Sequence, residues 1–187
     1  MDVIDAIRGR RAVRDYAADE IGREQIAELI GTAVLAPSAM NRQPWSFTVV
    51  RDRARLQRWS SAAKAHALAG LAGRPGLEHL REALESSGFN IFYNAPALVV
   101  ISATQQDEFT AADCALAAQT LMLAAYARGL GTCWIGFAHG WLNTPEGKAE
   151  LGVPADWSPS APIILGRPRG AAPPTPRRAP DIRWIEG

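Results

Sequence analysis

Two groups of arginines stand at opposite ends of the chain, RGRRAVR from Arg8 to Arg14 and PRR from Pro176 to Arg178. Read one at a time, such runs describe a solvated face as readily as an anion site. Several guanidinium groups converging on one point would suit a phosphate monoester, because bidentate charge-assisted hydrogen bonds add direction to charge. Between them, Asn41 and Gln43 lie in APSAMNRQPW, a stretch stiffened by Pro37 and Pro44. Their amides suit the edge of a uracil-like ring, and they suit equally well the backbone of a turn.

Other chemistries lack their groups. There is no Walker loop and no GxSxG. GLGTCWIG carries glycines of a dinucleotide fingerprint, but it follows a predicted helix and opens a predicted strand, the reverse of the required order. His66, His79 and His139 show no metal-ligand spacing, and each reads as a surface or helix residue. Cys114 and Cys133 form no CxxC and have no evident basic partner, which argues against a disulfide framework, a zinc site or an activated thiol. A net charge of +1 gives no general reason to expect nucleic acid or an anionic membrane. The N-terminal MDVIDAIRGRR lacks the apolar segment of a secretory signal. Ala111 to Ala127 is interrupted by Asp113, Gln119 and Thr120, and is too short and polar to span a bilayer. The expectation is a soluble, cytoplasmic protein.

The elements that must position these residues follow from periodicity. Asp2 to Arg8 predicts a short amphipathic helix, and Arg23 to Leu35 a second, with Ile26, Leu29, Ile30, Ala33 and Val34 on one face. Trp45 to Val50 is rich in aromatic and β-branched residues and predicts a strand. Arg51 to about Gly88 predicts two helices jointed at Gly73, Pro75 and Gly76. Further strands are expected over Ala97–Ser102, Thr132–Phe137 and Ala161–Leu165. A long alanine-rich helix runs from Thr110 to Arg128, at the centre of the core or at a subunit interface, and a short one from Pro145 to Glu150. From Gly170 the tail is proline-rich, yet it ends in Ile182, Arg183, Trp184 and Ile185, a composition that predicts docking on a neighbouring subunit. This order describes one α+β domain over residues 1–187.

RRAVRDY, APSAMNRQPWSF, NAPALVV, ARGLGTCWIG and PIILGRP, in that order, resemble the nitroreductase family of FMN flavoproteins. The resemblance covers nearly the whole chain and is weakest from Ala54 to Ser87. It implies a nitroreductase-like fold, a central, mostly antiparallel sheet flanked by helices, in a homodimer whose C-terminal tails (residues 170–187) are swapped onto the partner. By the same resemblance, Arg10 and Arg178 hold the FMN phosphate with Arg11 and Arg177 beside them, and Arg14 lies near the flavin pyrimidine. Asn41 contacts the ring edge, Gln43 and Trp45 complete an NxQPW signature, and Pro37, Ser38 and Ala39 reach the flavin of the other subunit through backbone. Trp134, Ile135 and Gly136 match a strand end beside flavin N5. Residues 61–92 correspond to a helical lid over the flavin.

Two positions depart from the family. Many relatives carry Ser at the position of Ala12, and the missing hydroxyl weakens FMN binding by about 0.5–1.5 kcal/mol. Ile135 replaces an acidic residue of some members, where the contact is through backbone. The implied reaction carries electrons from NADH or NADPH to a small electron-poor acceptor, a nitroaromatic, quinone or activated alkene, by a ping-pong scheme with no protein nucleophile. The same fold also implies alternatives: dehalogenation, oxidation of peptide-derived heterocycles, consumption of flavin to make a cobalamin ligand, flavin binding without catalysis, or an interaction module without flavin.

Overall fold

The computed structural model describes residues 1–71 and 76–187. Its helices are α1 (Val3–Gly9), α2 (Arg23–Ala33), α3 (Arg53–Gly70), α4 (Glu78–Glu85), α5 (Thr110–Ala127), α6 (Gly136–Leu142) and α7 (Pro145–Leu151). The strands are β1 (Trp45–Val50), β2 (Ala97–Ala103), β3 (Gly131–Trp134) and β4 (Ser158–Gly166). The expected pair of helices between β1 and β2 is present as α3 and α4. Of the residues predicted to joint them, Gly73 and Pro75 lie outside the described residues.

The strands form one sheet in the order β1-β2-β4-β3, every neighbouring pair antiparallel. β2 is buried along its whole length because helices cover both faces of the sheet. Leu98 and Val100 face one layer with Leu56, Trp59 and Ala63 of α3 and Ala138, Trp141 and Leu142 of α6. Ala97, Val99 and Ile101 face the other, with Ile26 and Leu29 of α2 and Cys114, Ala117, Ala118 and Leu121 of α5. The period-2 alternation of β2 thus sorts its residues between two cores. Among the described residues, no helix is long and apolar enough to cross a membrane.

Two predicted strands differ by more than one residue at an end, and the one expected over Ala161–Leu165 runs from Ser158 to Gly166. The strand expected over Thr132–Phe137 ends at Trp134, and Gly136 opens α6. Ile135 still donates to the Pro162 carbonyl at 2.8 Å, but Ala138 N–H turns back to the Ile135 carbonyl at 3.2 Å. A seven-residue helix with two aromatic residues shows too little of the 3.6-residue period to be told from a strand.

The arginine-bearing segment after α1 is tied to the free side of β3. Ala12 pairs in parallel with Thr132, and Val13 N–H donates to the Thr132 carbonyl at 3.0 Å. Gly131 makes this approach possible, since a Cβ there would stand 2.7 Å from the Val13 side chain. Gly131→Ala is therefore expected to lift the Arg11–Arg14 segment off β3, at about 1–3 kcal/mol. A lower midpoint in urea, with Val13→Ala recovering part of the loss, would bear this out; an unchanged midpoint would contradict it.

Candidate functional site

The residues from Arg10 to Arg14 wall a set of adjoining clefts beside β3. One, of about 410 Å³, is lined by Arg14, Tyr93, Cys133, Trp134, Ile135, Gly136 and Phe137. The next, of about 390 Å³, is bounded by Arg11, Ala12, Val13 and Arg14 on one side and by the tail from Gly170 to Pro173 on the other. In a third, of about 240 Å³, Gly9, Arg10 and Arg11 meet Tyr126 and the Gly129–Thr132 turn. Trp134, Ile135, Gly136 and Arg14, far apart in sequence, are thus brought together.

Positive charge here is only partly matched by the protein. Among the described residues the ion pairs are Arg42–Asp107, Arg51–Glu20 and Arg169–Asp15, and none involves Arg10, Arg11 or Arg14. Arg14 lies over the Tyr93 ring at 5.8 Å, a cation–π contact. Arg11 turns its Nη1 back on the carbonyls of Arg8 and Arg10 at 2.6 and 2.9 Å, closing the end of α1, while its Nε is buried without a partner. The structure does not bring the second arginine cluster into this groove. Arg177 is exposed and bonds to the Thr175 and Pro176 carbonyls, and Arg178 is exposed beside it.

By residue type Phe89, Phe92 and Tyr93 suit either stacking on an aromatic ring or core packing, and Tyr93 is the one that lines this cleft. Tyr93 and Asn94 both have left-handed backbone, φ 52° and 54°, which turns the Tyr93 ring toward Arg14. Phe92 is fully buried in the core, whereas Phe89 packs edge-on to Tyr93 with centroids 5.6 Å apart. Lys64 of α3 donates to the carbonyls of Ser86 and Phe89 at 2.6 and 3.0 Å, which links the helical excursion to the cleft.

Cys133 corrects a second expectation, because it does have basic neighbours. Burial raises its thiol, and the guanidinium groups of Arg14 and Arg10 offset part of the rise. Cys114 is pushed up to about 11, first by burial and then by nearby Asp113. Tyr16 is driven above the ordinary tyrosine range chiefly by burial, its hydroxyl donating to the Val13 carbonyl at 2.7 Å. Folded Cys114 therefore keeps its proton to about pH 11, whereas the unfolded chain loses it near pH 9. Above pH 9 the unfolded state binds fewer protons, so stability falls as pH rises through that window. Urea midpoints measured from pH 8 to 10.5 should decline, and Cys114→Ala should decline less steeply; equal slopes would contradict this.

Pro37, Ser38, Ala39, Asn41 and Gln43 form a separate half of the predicted site. They precede β1, on the opposite edge of the sheet from β3. Ala39 is bonded to Asp113 at the start of α5, while Tyr126, thirteen residues along α5, meets Gly9 and Arg10. At 1.5 Å per residue the two halves stand about 20 Å apart along that helix. Within this loop Gln43 Nε2 donates to Asn41 Oδ1 at 3.2 Å, and Gln43 N–H to Ser38 Oγ at 2.9 Å. Their amides thus serve the turn, with Asn41 and Gln43 both left exposed. The three histidines are exposed, and no group of three metal-ligating side chains occurs among the described residues.

A four-stranded antiparallel sheet between two helical layers, with a basic groove along one edge, defines an α+β protein. The chain belongs to the nitroreductase family: the Nitroreductase family model matches residues 7–167. A nitroreductase with bound FMN from Bacteroides fragilis shares the fold at a TM-score of 0.85 and 28% identity, over the whole of both chains. The chain is 36% identical to a 5,6-dimethylbenzimidazole synthase of Rhodospirillum rubrum over 180 positions, 90% of this chain and 83% of that protein. It is 32% identical to a nitroreductase of Mycolicibacterium smegmatis over 177 positions, 79% of this chain and 75% of that one.

Proposed function

We propose that the protein is an FMN-dependent oxidoreductase that passes electrons from NADH or NADPH to a small electron-poor acceptor. The observation that carries this reading is the groove beside β3. Arg10 and Arg14 border it with no carboxylate partner among the described residues, and Arg11 Nε is buried without a partner. Clustered guanidinium groups without a carboxylate partner favour an anionic ligand, and FMN carries both a phosphate and a ring system suited to the aromatic cleft. Bound FMN supplies a hydride acceptor and an electron donor, chemistry no side chain here offers.

Within the reading, Arg10 holds the phosphate and Arg14 offsets negative charge at the pyrimidine end of the ring. The backbone from Trp134 to Gly136 borders the reacting edge, while Tyr93, Trp134 and Phe137 wall the space where nicotinamide and acceptor bind in turn. Residues 61–71 and 76–92 cover that space and set acceptor choice. The site takes its second half, Pro37 to Gln43, from another copy of the chain, because a single chain keeps the two halves about 20 Å apart. The tail of each subunit lies on its partner, which also carries Arg177 and Arg178 toward the groove. Initial rates at varied NADH and quinone should give parallel double-reciprocal lines. Intersecting lines would rule out the shared-cleft order.

The 36% identity to a 5,6-dimethylbenzimidazole synthase favours a second reading, in which flavin is the substrate. Aerobic incubation with reduced FMN separates the two. Permanent loss of flavin absorbance with a benzimidazole product supports the second, and recovery of intact FMN supports the first.

A further inference from the structure

The loop before β1 has a shape its own residues disfavour. Met40, Asn41 and Gln43 all have left-handed backbone, with φ of 52°, 53° and 51°, and none is glycine. Such a conformation persists where neighbours over-determine it, and Ala39 is where the neighbours act. Its N–H donates to Oδ1 of Asp113, a residue 4% exposed and distant in sequence, at 3.1 Å. Its carbonyl accepts from Arg42 Nε at 3.3 Å and from the Arg42 N–H at 3.1 Å. Arg42 is in turn braced by Asp107, with Nη1 2.9 Å from Oδ2.

Asp113 is an expensive way to satisfy one peptide N–H. Its second oxygen is buried with no hydrogen-bond partner, and Nη2 of Arg42 is buried in the same condition. A neutral acceptor would have cost less to bury. The cost is matched by what Ala39 gains, since two oppositely charged side chains hold successive peptides from either side and fix the loop with charge-assisted bonds.

We propose that Asp113 and Arg42 are positioning residues that grip Ala39 and thereby set the Ser38–Asn41 loop for the flavin of the partner subunit. Neither touches flavin. The Ala39 N–H is turned inward on Asp113, so contact with the ring falls to other atoms of the loop. This rests on the FMN reading above for its ligand, but the grip itself is a property of the chain alone.

The test uses full-length wild type, Asp113→Ala, Asp113→Asn, Arg42→Ala and the Asp113→Ala/Arg42→Ala double variant. Hydrogen exchange over residues 38–43 is followed in flavin-free protein, and FMN affinity by quenching of flavin fluorescence. Loss of a charge-assisted bond predicts Ala39 exchange about tenfold faster, and FMN affinity about tenfold weaker, in either alanine variant. Asp113→Asn keeps an oxygen acceptor and should recover most of both. The double variant should lose little more than either single one, because both side chains hold the same residue. Arg42 is partly exposed, so its variant reads the grip without opening a buried position. Wild-type exchange and affinity in the alanine variants, failure of Asn to rescue, or fully additive losses would each overturn the proposal. If wild type bound no FMN while Ala39 exchange followed the expected pattern, the functional reading would fall and the grip would stand.

Discussion

A chain ending at Pro180 is expected to lose its dimer and to unfold at least about 10 °C lower than the full-length protein. Ile182, Trp184 and Ile185 are 56%, 80% and 99% exposed in the single chain. Large apolar groups so placed at the end of an extended segment signal a missing partner. The partner surface proposed for them is the outer edge of β1, an end strand of the sheet. Beside it runs a cleft of about 470 Å³ between α2 and β1, with Ile26, Ile30 and Val49 among its walls. An extended tail laid there would pair an open strand edge and fill the cleft with apolar side chains. Burying three large side chains at about 1.5–3 kcal/mol each gives roughly 5 kcal/mol or more per subunit. For a chain of this length each kcal/mol moves the melting temperature by about 2–4 °C. Light scattering would show a monomer where the full-length chain shows a dimer. An unchanged mass and melting temperature would mean that the tail is not part of an interface.

Arg10→Ala is expected to weaken FMN binding by about 10- to 100-fold, the effect of losing a charge-assisted hydrogen bond of roughly 1.5–3 kcal/mol. Arg10→Lys should recover part of that, since it keeps the charge and gives up the planar fork. Arg14→Ala should act differently. A cation beside the pyrimidine stabilises the reduced ring more than the oxidised one, so its removal lowers the reduction potential of bound flavin as well as its affinity. Fluorescence titration and dye-equilibrated potentials check both. Arg11→Ala should lower stability as well as affinity, since its Nη1 closes the end of α1 while its Nε is buried without a partner. If all three variants bound FMN like wild type, the groove beside β3 would not be the phosphate site.

Much of this architecture was legible where one residue pattern served one environment. β1 was read to the residue, and α5 to within one at its end, because each has a single dominant periodicity. α6 was missed for want of length. The edge-to-edge separation of the two half-sites could not be read at all, because strand order is set by non-local pairing and leaves no mark on any one segment. Asp113 was visible only as a polar interruption in an apolar helix; its partner, Ala39, lies 74 positions away. The placement of Tyr93 against Arg14 was hidden for a similar reason, since its positive φ depends on the chain around it. The arginines near the N-terminus could be picked out by type, but only the pairing of Ala12 with Thr132 explains why they stand beside Trp134 and Ile135.

The central claim is that this chain holds FMN and uses it to carry electrons. It is tested most directly by the visible spectrum of the purified protein, with the chromophore identified after release. The account predicts FMN at about one per subunit, bleached on anaerobic addition of NADH or NADPH. A colourless protein that takes up no added FMN would contradict it, and would withdraw the roles assigned to Arg10, Arg14 and the loop from Pro37 to Gln43.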